Sequence, residues 1–328
     1  MGCMEWGGDS GGSGAYSYPS ARKSAPRSYD STPSSSSSMR SIRRNIDDLV
    51  PQSLETKSEA PLVIACDVTG SMEEWPKIIF NKLPLLYGEL KKAYFKDKDP
   101  EISFAAIGDA YCDKYPLQVQ RFDSGKSLDD RLGALVIEGG GGGQMQESYE
   151  LAALYYARNV KMPNATKPIF IFIGDEGVYD FVNNDQAEQW ARVSVKERLS
   201  TNQVIGELMQ KCSVYLIRKL YDKNFDQDSM SDNDKEIQKQ WRNLLGANRI
   251  AILPQPERVV DVILGIVAND TGMNAYFDKE LSQRQRLDQV KSVMKTLSSI
   301  TQYKALPSHK GQSLRTRKSK GKPADPLI

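Results

Sequence analysis

Three oxygen-bearing side chains, Asp67, Thr69 and Ser71, alternate along the chain directly after an apolar run of strand length, residues 62–66. In a locally extended loop that alternation lets one carboxylate and two hydroxyls converge on a single point. Such a hard, oxygen-only set suits Mg²⁺ or Mn²⁺ rather than zinc. A second apolar run, residues 169–173, ends in the same way on Gly174-Asp175, with Glu176 and Asp180 rimming the turn that follows.

Between these two turns lie five consecutive glycines, residues 139–143, followed by Gln144-Met145-Gln146-Glu147. Without Cβ atoms, such a loop can approach an ion or partner closely and adopt positive φ. No Gly-Lys-Ser/Thr follows it, which argues against a phosphate-binding P-loop. Glu147 is expected at the start of the next helix, where two roles stay open: a ligand carboxylate, or an acid favoured there by the helix dipole. Asp109 and Asp113 follow another apolar run and are read as turn formers. His309 is the sole histidine, so no histidine pair is available for zinc or for acid–base work.

The elements that must position these residues alternate. Strands are expected at residues 62–66, 102–108, 117–122 (an antiparallel edge), 168–174, 213–220 and 249–253. Helices are expected at 74–94, 128–135 and 147–159, then one or two over 186–209, one around Trp241, Leu244 and Leu245, one over 258–268, and an outer one over 279–300. This predicts an α/β fold: a doubly wound, mostly parallel, Rossmann-like sheet of about six strands with helices on both faces. In such a sheet, ligands bind at the carboxyl ends of the strands.

With those residues in place, Asp67-Val68-Thr69-Gly70-Ser71 resembles the metal-ion-dependent adhesion site (MIDAS) of von Willebrand factor A (vWA) domains, Asp-x-Ser/Thr-x-Ser after the first strand. The order of elements over residues 61–269 is similar to that family as well, in its intracellular bacterial form. The resemblance implies that Asp175 completes the site, usually through water. The third metal loop of the family commonly offers Thr. Here Gln144 stands at that place and Glu147 is the nearby carboxylate, so the third ligand stays open between them. The family's mode of action implies protein binding without catalysis: Mg²⁺ (or Mn²⁺) keeps one position open for an Asp or Glu side chain of a partner. Intracellular relatives often work with ring-shaped AAA+ ATPases, which makes such an ATPase an implied partner.

The same five residues also resemble the first motif of haloacid-dehalogenase-like phosphotransferases, with Asp67 as nucleophile and Gly174-Asp175 plus Asp180 as the Mg²⁺ motif. Against this, no strand ending in Ser or Thr stands between the motifs, Lys161 or Lys167 would have to come from a featureless loop, and the glycines go unexplained. A metal-free structural scaffold is the third reading.

Composition narrows the rest. Lys+Arg 44 against Asp+Glu 42 gives a formal charge of +2, so no overall field favours nucleic acid or membranes. Cys3, Cys66, Cys112 and Cys212 lack metal-ligand spacing, and no leader or bilayer-spanning run is seen, so a cytoplasmic setting is expected. Residues 1–59 are read as a disordered Ser/Gly-rich arm and a linker, 60–270 as the domain, 271–302 as a helical extension, and 303–328 as a basic disordered tail, where any nucleic-acid contact would lie.

Overall fold

Residues 169–173 read Ile-Phe-Ile-Phe-Ile, and in the computed structural model the isoleucines and phenylalanines part to opposite faces of one sheet. A strand's side chains alternate, so an unbroken apolar run is stable only where both faces are covered. The structure describes residues 45–95, 98–139, 145–222 and 229–300. The expected N-terminal arm, the basic tail with His309, Gln144 and glycines 140–143 lie outside them.

The central strands are β1 (Ala60–Asp67), β2 (Pro100–Ile107), β3 (Leu117–Val119), β4 (Ile169–Gly174), β5 (Ser213–Arg218) and β6 (Ile250–Ile252). They lie in the order β6-β5-β4-β1-β2-β3, parallel throughout except for β3, which runs antiparallel to β2. The chain leaves β1 on one side towards β2 and later returns to its other side as β4. The loops after β1 and β4 therefore diverge, and a crevice opens between them at the carboxyl ends of the strands.

One face of the sheet packs its Leu62, Ile64, Ile171 and Ile173 against the segment after β1 and against α3 (Val259–Thr271). The other face packs Val63, Ala65, Phe170, Phe172 and Leu216 against α1 (Tyr149–Arg158), α2 (Thr201–Lys211) and Trp241. Each such buried side chain contributes about 1.5–3 kcal/mol. The sheet is therefore a rigid base for whatever its edge carries.

Several elements differ from expectation. The single helix expected over 74–94 is instead Trp75–Lys82, then Pro84–Glu89, then a π-helical turn over Leu90–Tyr94. Pro84 has no N–H to give to the preceding turn, so the hydrogen-bond ladder restarts there. The outer helix is two, Asn274–Arg284 and Leu287–Leu297. Their Phe277, Leu281, Val293 and Leu297 belong to the main core rather than to an outside layer. Residues 45–59, expected as linker, pack down: Leu49 and Val50 are buried, and Leu54–Glu55 pairs in parallel with Val160–Lys161. No helix among the described residues is long and apolar enough to cross a membrane.

Candidate metal centre

Asp67 is the last residue of β1 and is fully buried. Beyond it the chain is extended at Thr69 and then tightens into a 3-10 turn, Gly70–Met72, which leaves through Glu73 at φ +54°. A non-glycine residue in that left-handed region is strained, and here the strain sits directly beside the oxygen cluster.

The turn brings the three expected oxygens together. Asp67 Oδ1 accepts from the Thr69 backbone N–H at 2.9 Å and from Thr69 Oγ1 at 2.6 Å. Thr69 Oγ1 and Ser71 Oγ are 3.2 Å apart, and Ser71 Oγ donates to Asp175 Oδ1 at 3.0 Å. Asp175 follows Gly174 at the end of β4 and is also fully buried. Asp67, Thr69, Ser71 and Asp175 thus form one continuous chain of oxygens across the crevice.

Three further residues close this corner. The Tyr149 hydroxyl, at the start of α1, donates to Asp67 Oδ2 at 2.7 Å. Gly174 makes room for it: a Cβ there would lie 1.8 Å from that hydroxyl and 3.0 Å from Asp67 Cβ. Lys219 follows β5, and its Nζ donates to Asp175 Oδ2 at 2.8 Å and to the Ser71 carbonyl at 2.9 Å. Glu176, expected to rim this face of the sheet, is buried in it.

Glu147 is not at a helix start. Gln146–Glu147 pairs in parallel with Gly177–Val178, which ties the end of the glycine loop to the Asp175 turn, and the helix begins at Tyr149. This corrects the helix-dipole account of Glu147 and leaves a buried carboxylate facing the cluster. At its other end the glycine loop starts against the site, where Gly139 N–H donates to the Val68 carbonyl at 3.2 Å. Gln144 lies outside the described residues. Asp109 and Asp113 hold the turn after β2, as expected: Asp113 Oδ2 accepts from the Asp109 N–H at 2.7 Å, and Asp109 Oδ1 accepts from the Tyr111 N–H at 3.0 Å.

The corner is short of positive charge. Burial, and then the charge of Asp175, push the Asp67 carboxyl up to about 8. Burial, with Asp67 and Glu176 adding to it, pushes Glu147 up to about 12, and burial pushes Glu176 up to about 7. Asp175 is raised by burial against the opposing pull of Lys219. Oε2 of Glu147 and Oε2 of Glu176 are buried and take no proton from a hydroxyl, amide or cationic side chain. Glu147 and Glu176 bond each other and Ser71 bonds Glu176, but a buried oxygen left unserved is costly, and a hard cation is a partner that would serve it. In that sense the residues fit such an ion. No group of three or more Asp, Glu, His or Cys among the described residues is placed to hold a metal by those side chains alone.

The sequence reading missed Lys219 and Tyr149. Lys219 had a signal, since it closes an apolar strand just as Asp67 and Asp175 close theirs. Tyr149 had none, because only the fold carries its ring across to β1.

No family model matches the chain, and no curated protein does. Solved structures to which it is similar include the pilus adhesin SpaC from Lactobacillus rhamnosus GG, at 13% identity and TM-score 0.43, over 73% of this chain and 31% of the adhesin. Another is proximal thread matrix protein 1 of the mussel byssus, at 10% identity and TM-score 0.42, over 67% of this chain and 49% of that one. One structure of the mussel protein has a zinc-occupied MIDAS motif. This chain therefore spans about a third of the adhesin and about half of the thread protein. At these identities and TM-scores neither ligand nor partner transfers to it.

Proposed function

We propose that this chain is a vWA-like interaction module in which a divalent cation at the β1–β4 corner captures an acidic side chain of a partner protein. The observation that carries this is the unbroken run of side-chain oxygens from Asp67 through Thr69 and Ser71 to Asp175, at the one place where the strand order reverses. Asp67, Thr69, Ser71 and Asp175 would hold Mg²⁺ or Mn²⁺, with Glu147 and Glu176 as nearby carboxylates. When bound, the ion supplies a coordination position for an incoming carboxylate. Tyr149 orients Asp67, and the pairing of Gln146–Glu147 with Gly177–Val178 fixes Glu147 beside the Asp175 turn.

Binding accounts for the geometry better than phosphoryl transfer does. Lys161 pairs with Glu55 in a short strand, and Lys167 Nζ donates to the Asp270 carbonyl just before β4 begins, so both lie at the sheet's opposite end. A metal-free scaffold keeps one observation in its favour, the Lys219 ammonium already bonded to Asp175 and Ser71.

Thermal melts with Mg²⁺ or chelator separate the readings. At an ion concentration of 100 times its Kd the wild type gains about 2.7 kcal/mol, and Asp67→Ala gains none. Equal melts of the wild type with ion and with chelator would favour the scaffold. An aspartyl phosphate found on Asp67 would favour the transferase.

A further inference from the structure

The geometry points to Lys219 as the residue that sets how tightly the corner takes a divalent cation, a tethered positive charge with which the ion must share Asp175 and the Ser71 turn. This rests on the metal-binding reading above. Lys219 is 3% exposed, and its backbone N–H is bonded to the Gly174 carbonyl at 3.0 Å, so β4 fixes where the side chain starts. Its Nζ joins the loops of β1 and β4 through the Ser71 carbonyl and Asp175 Oδ2, and lies 5.9 Å from the centre of the Trp75 ring. With Ser71 Oγ on Oδ1, both oxygens of Asp175 are already engaged.

A lysine ammonium is a compact point charge with three donors, able to stand in for an ion among oxygens. Buried this deeply, its charge is little screened by salt, so it repels any cation held through the same side chains. It also keeps the two loops together when no ion is bound. Lys219 therefore exerts two effects: it stabilises the ion-free corner and it lowers cation affinity. Capture of an acidic partner then depends on the level of free divalent ion rather than being permanently switched on.

The test is Mn²⁺ titration of the full chain, followed by electron paramagnetic resonance, for the wild type, Lys219→Met and Lys219→Arg. Lys219→Met is expected to bind Mn²⁺ roughly tenfold more tightly or better, because a neighbouring like charge has gone. Lys219→Arg, which keeps the charge, is expected to gain no affinity over the wild type. In chelator Lys219→Met melts below the wild type, and Mn²⁺ narrows the gap. If it is unfolded in chelator, the Mn²⁺ concentration that restores folding gives its affinity. Equal or weaker Mn²⁺ binding by Lys219→Met overturns the inference while leaving the metal site standing. Absence of Mn²⁺ binding by the wild type and both variants overturns the metal site itself and the inference with it. Failure of Lys219→Met to fold even with Mn²⁺ makes the lysine purely structural and also overturns the inference.

Discussion

Arg218 and Lys219 are neighbours at the end of β5, and each closes a buried ion pair, but the two pairs differ in what surrounds them. Arg218 binds Asp234, whose carboxylate also accepts from the N–H groups of Tyr221 at 2.8 Å and Asp222 at 3.2 Å and from Ser231 Oγ at 3.3 Å. Arg218 Nη1 in turn reaches the Asp234 carbonyl and Gln238 Oε1. That acid is fully served, and the pair ties Tyr221 and Asp222 after β5 to the start of the helix Asp232–Leu245. Lys219 binds Asp175, yet Asp67, Glu147 and Glu176 crowd the same corner without a cation of their own. One acid matched by one base and several N–H groups marks a structural pair. At the corner four carboxyls face Lys219, with Arg218 acting on Asp175 from further off, and that excess of acid marks a place for a ligand.

The largest expected effect tests the structural side. Asp234→Ala leaves the Arg218 guanidinium buried without its acid, and unfolding measurements are expected to show a loss of about 3–5 kcal/mol. That loss should be the same with Mg²⁺ and with chelator. Sensitivity to Mg²⁺ would merge two regions that are here kept apart.

Next comes pH. Asp67 and Glu176 are raised to about 8 and about 7, so between the ordinary carboxylate range and those values the folded corner holds protons that the unfolded chain has released. Their contribution is fully present below about pH 4 and is lost as pH rises towards 8. In chelator, the part of the stability referable to Asp67 is expected to fall by about 3 kcal/mol from pH 5 to pH 7, at about 1.4 kcal/mol per pH unit over which its proton is retained. Asp67→Asn should flatten most of that slope. A slope equally steep in Asp67→Asn would place its origin elsewhere in the chain.

Smaller effects probe the corner's walls. Gly174→Ala must displace Tyr149 from Asp67, and overpacking of this kind costs about 1–3 kcal/mol. Tyr149→Phe removes one hydrogen bond to Asp67 Oδ2 and is expected to cost about 1 kcal/mol at pH 8 and less at pH 5, where Asp67 is protonated and itself a donor. Denaturant melts at the two pH values check both variants. A Tyr149→Phe loss no larger at pH 8 than at pH 5 would mean that the hydroxyl does not serve the ionised carboxylate.

The corner was legible in the sequence only where a strand ends. Asp67 and Asp175 each close an apolar run, and strand ends in a parallel sheet must meet at one edge, so their pairing followed from local pattern plus topology. Glu147 was misplaced because its two-residue pairing with Gly177–Val178 is a tertiary event, and an acid beside an apolar run looks the same at a helix start. The single outer helix became two because the break at Gln285–Arg286 has no Gly or Pro to announce it. Lys219 falls inside the expected strand 213–220, and nothing local shows that its ammonium reaches across β4 to the turn after β1.

Anomalous diffraction from crystals of the full chain grown with Mn²⁺ tests the central claim most directly. The expected result is a single strong peak within coordination distance of Ser71 Oγ and Thr69 Oγ1, between Asp67 and Asp175. A peak elsewhere, or none while Lys219 keeps its bonds to Asp175 and Ser71 at saturating Mn²⁺, would contradict it.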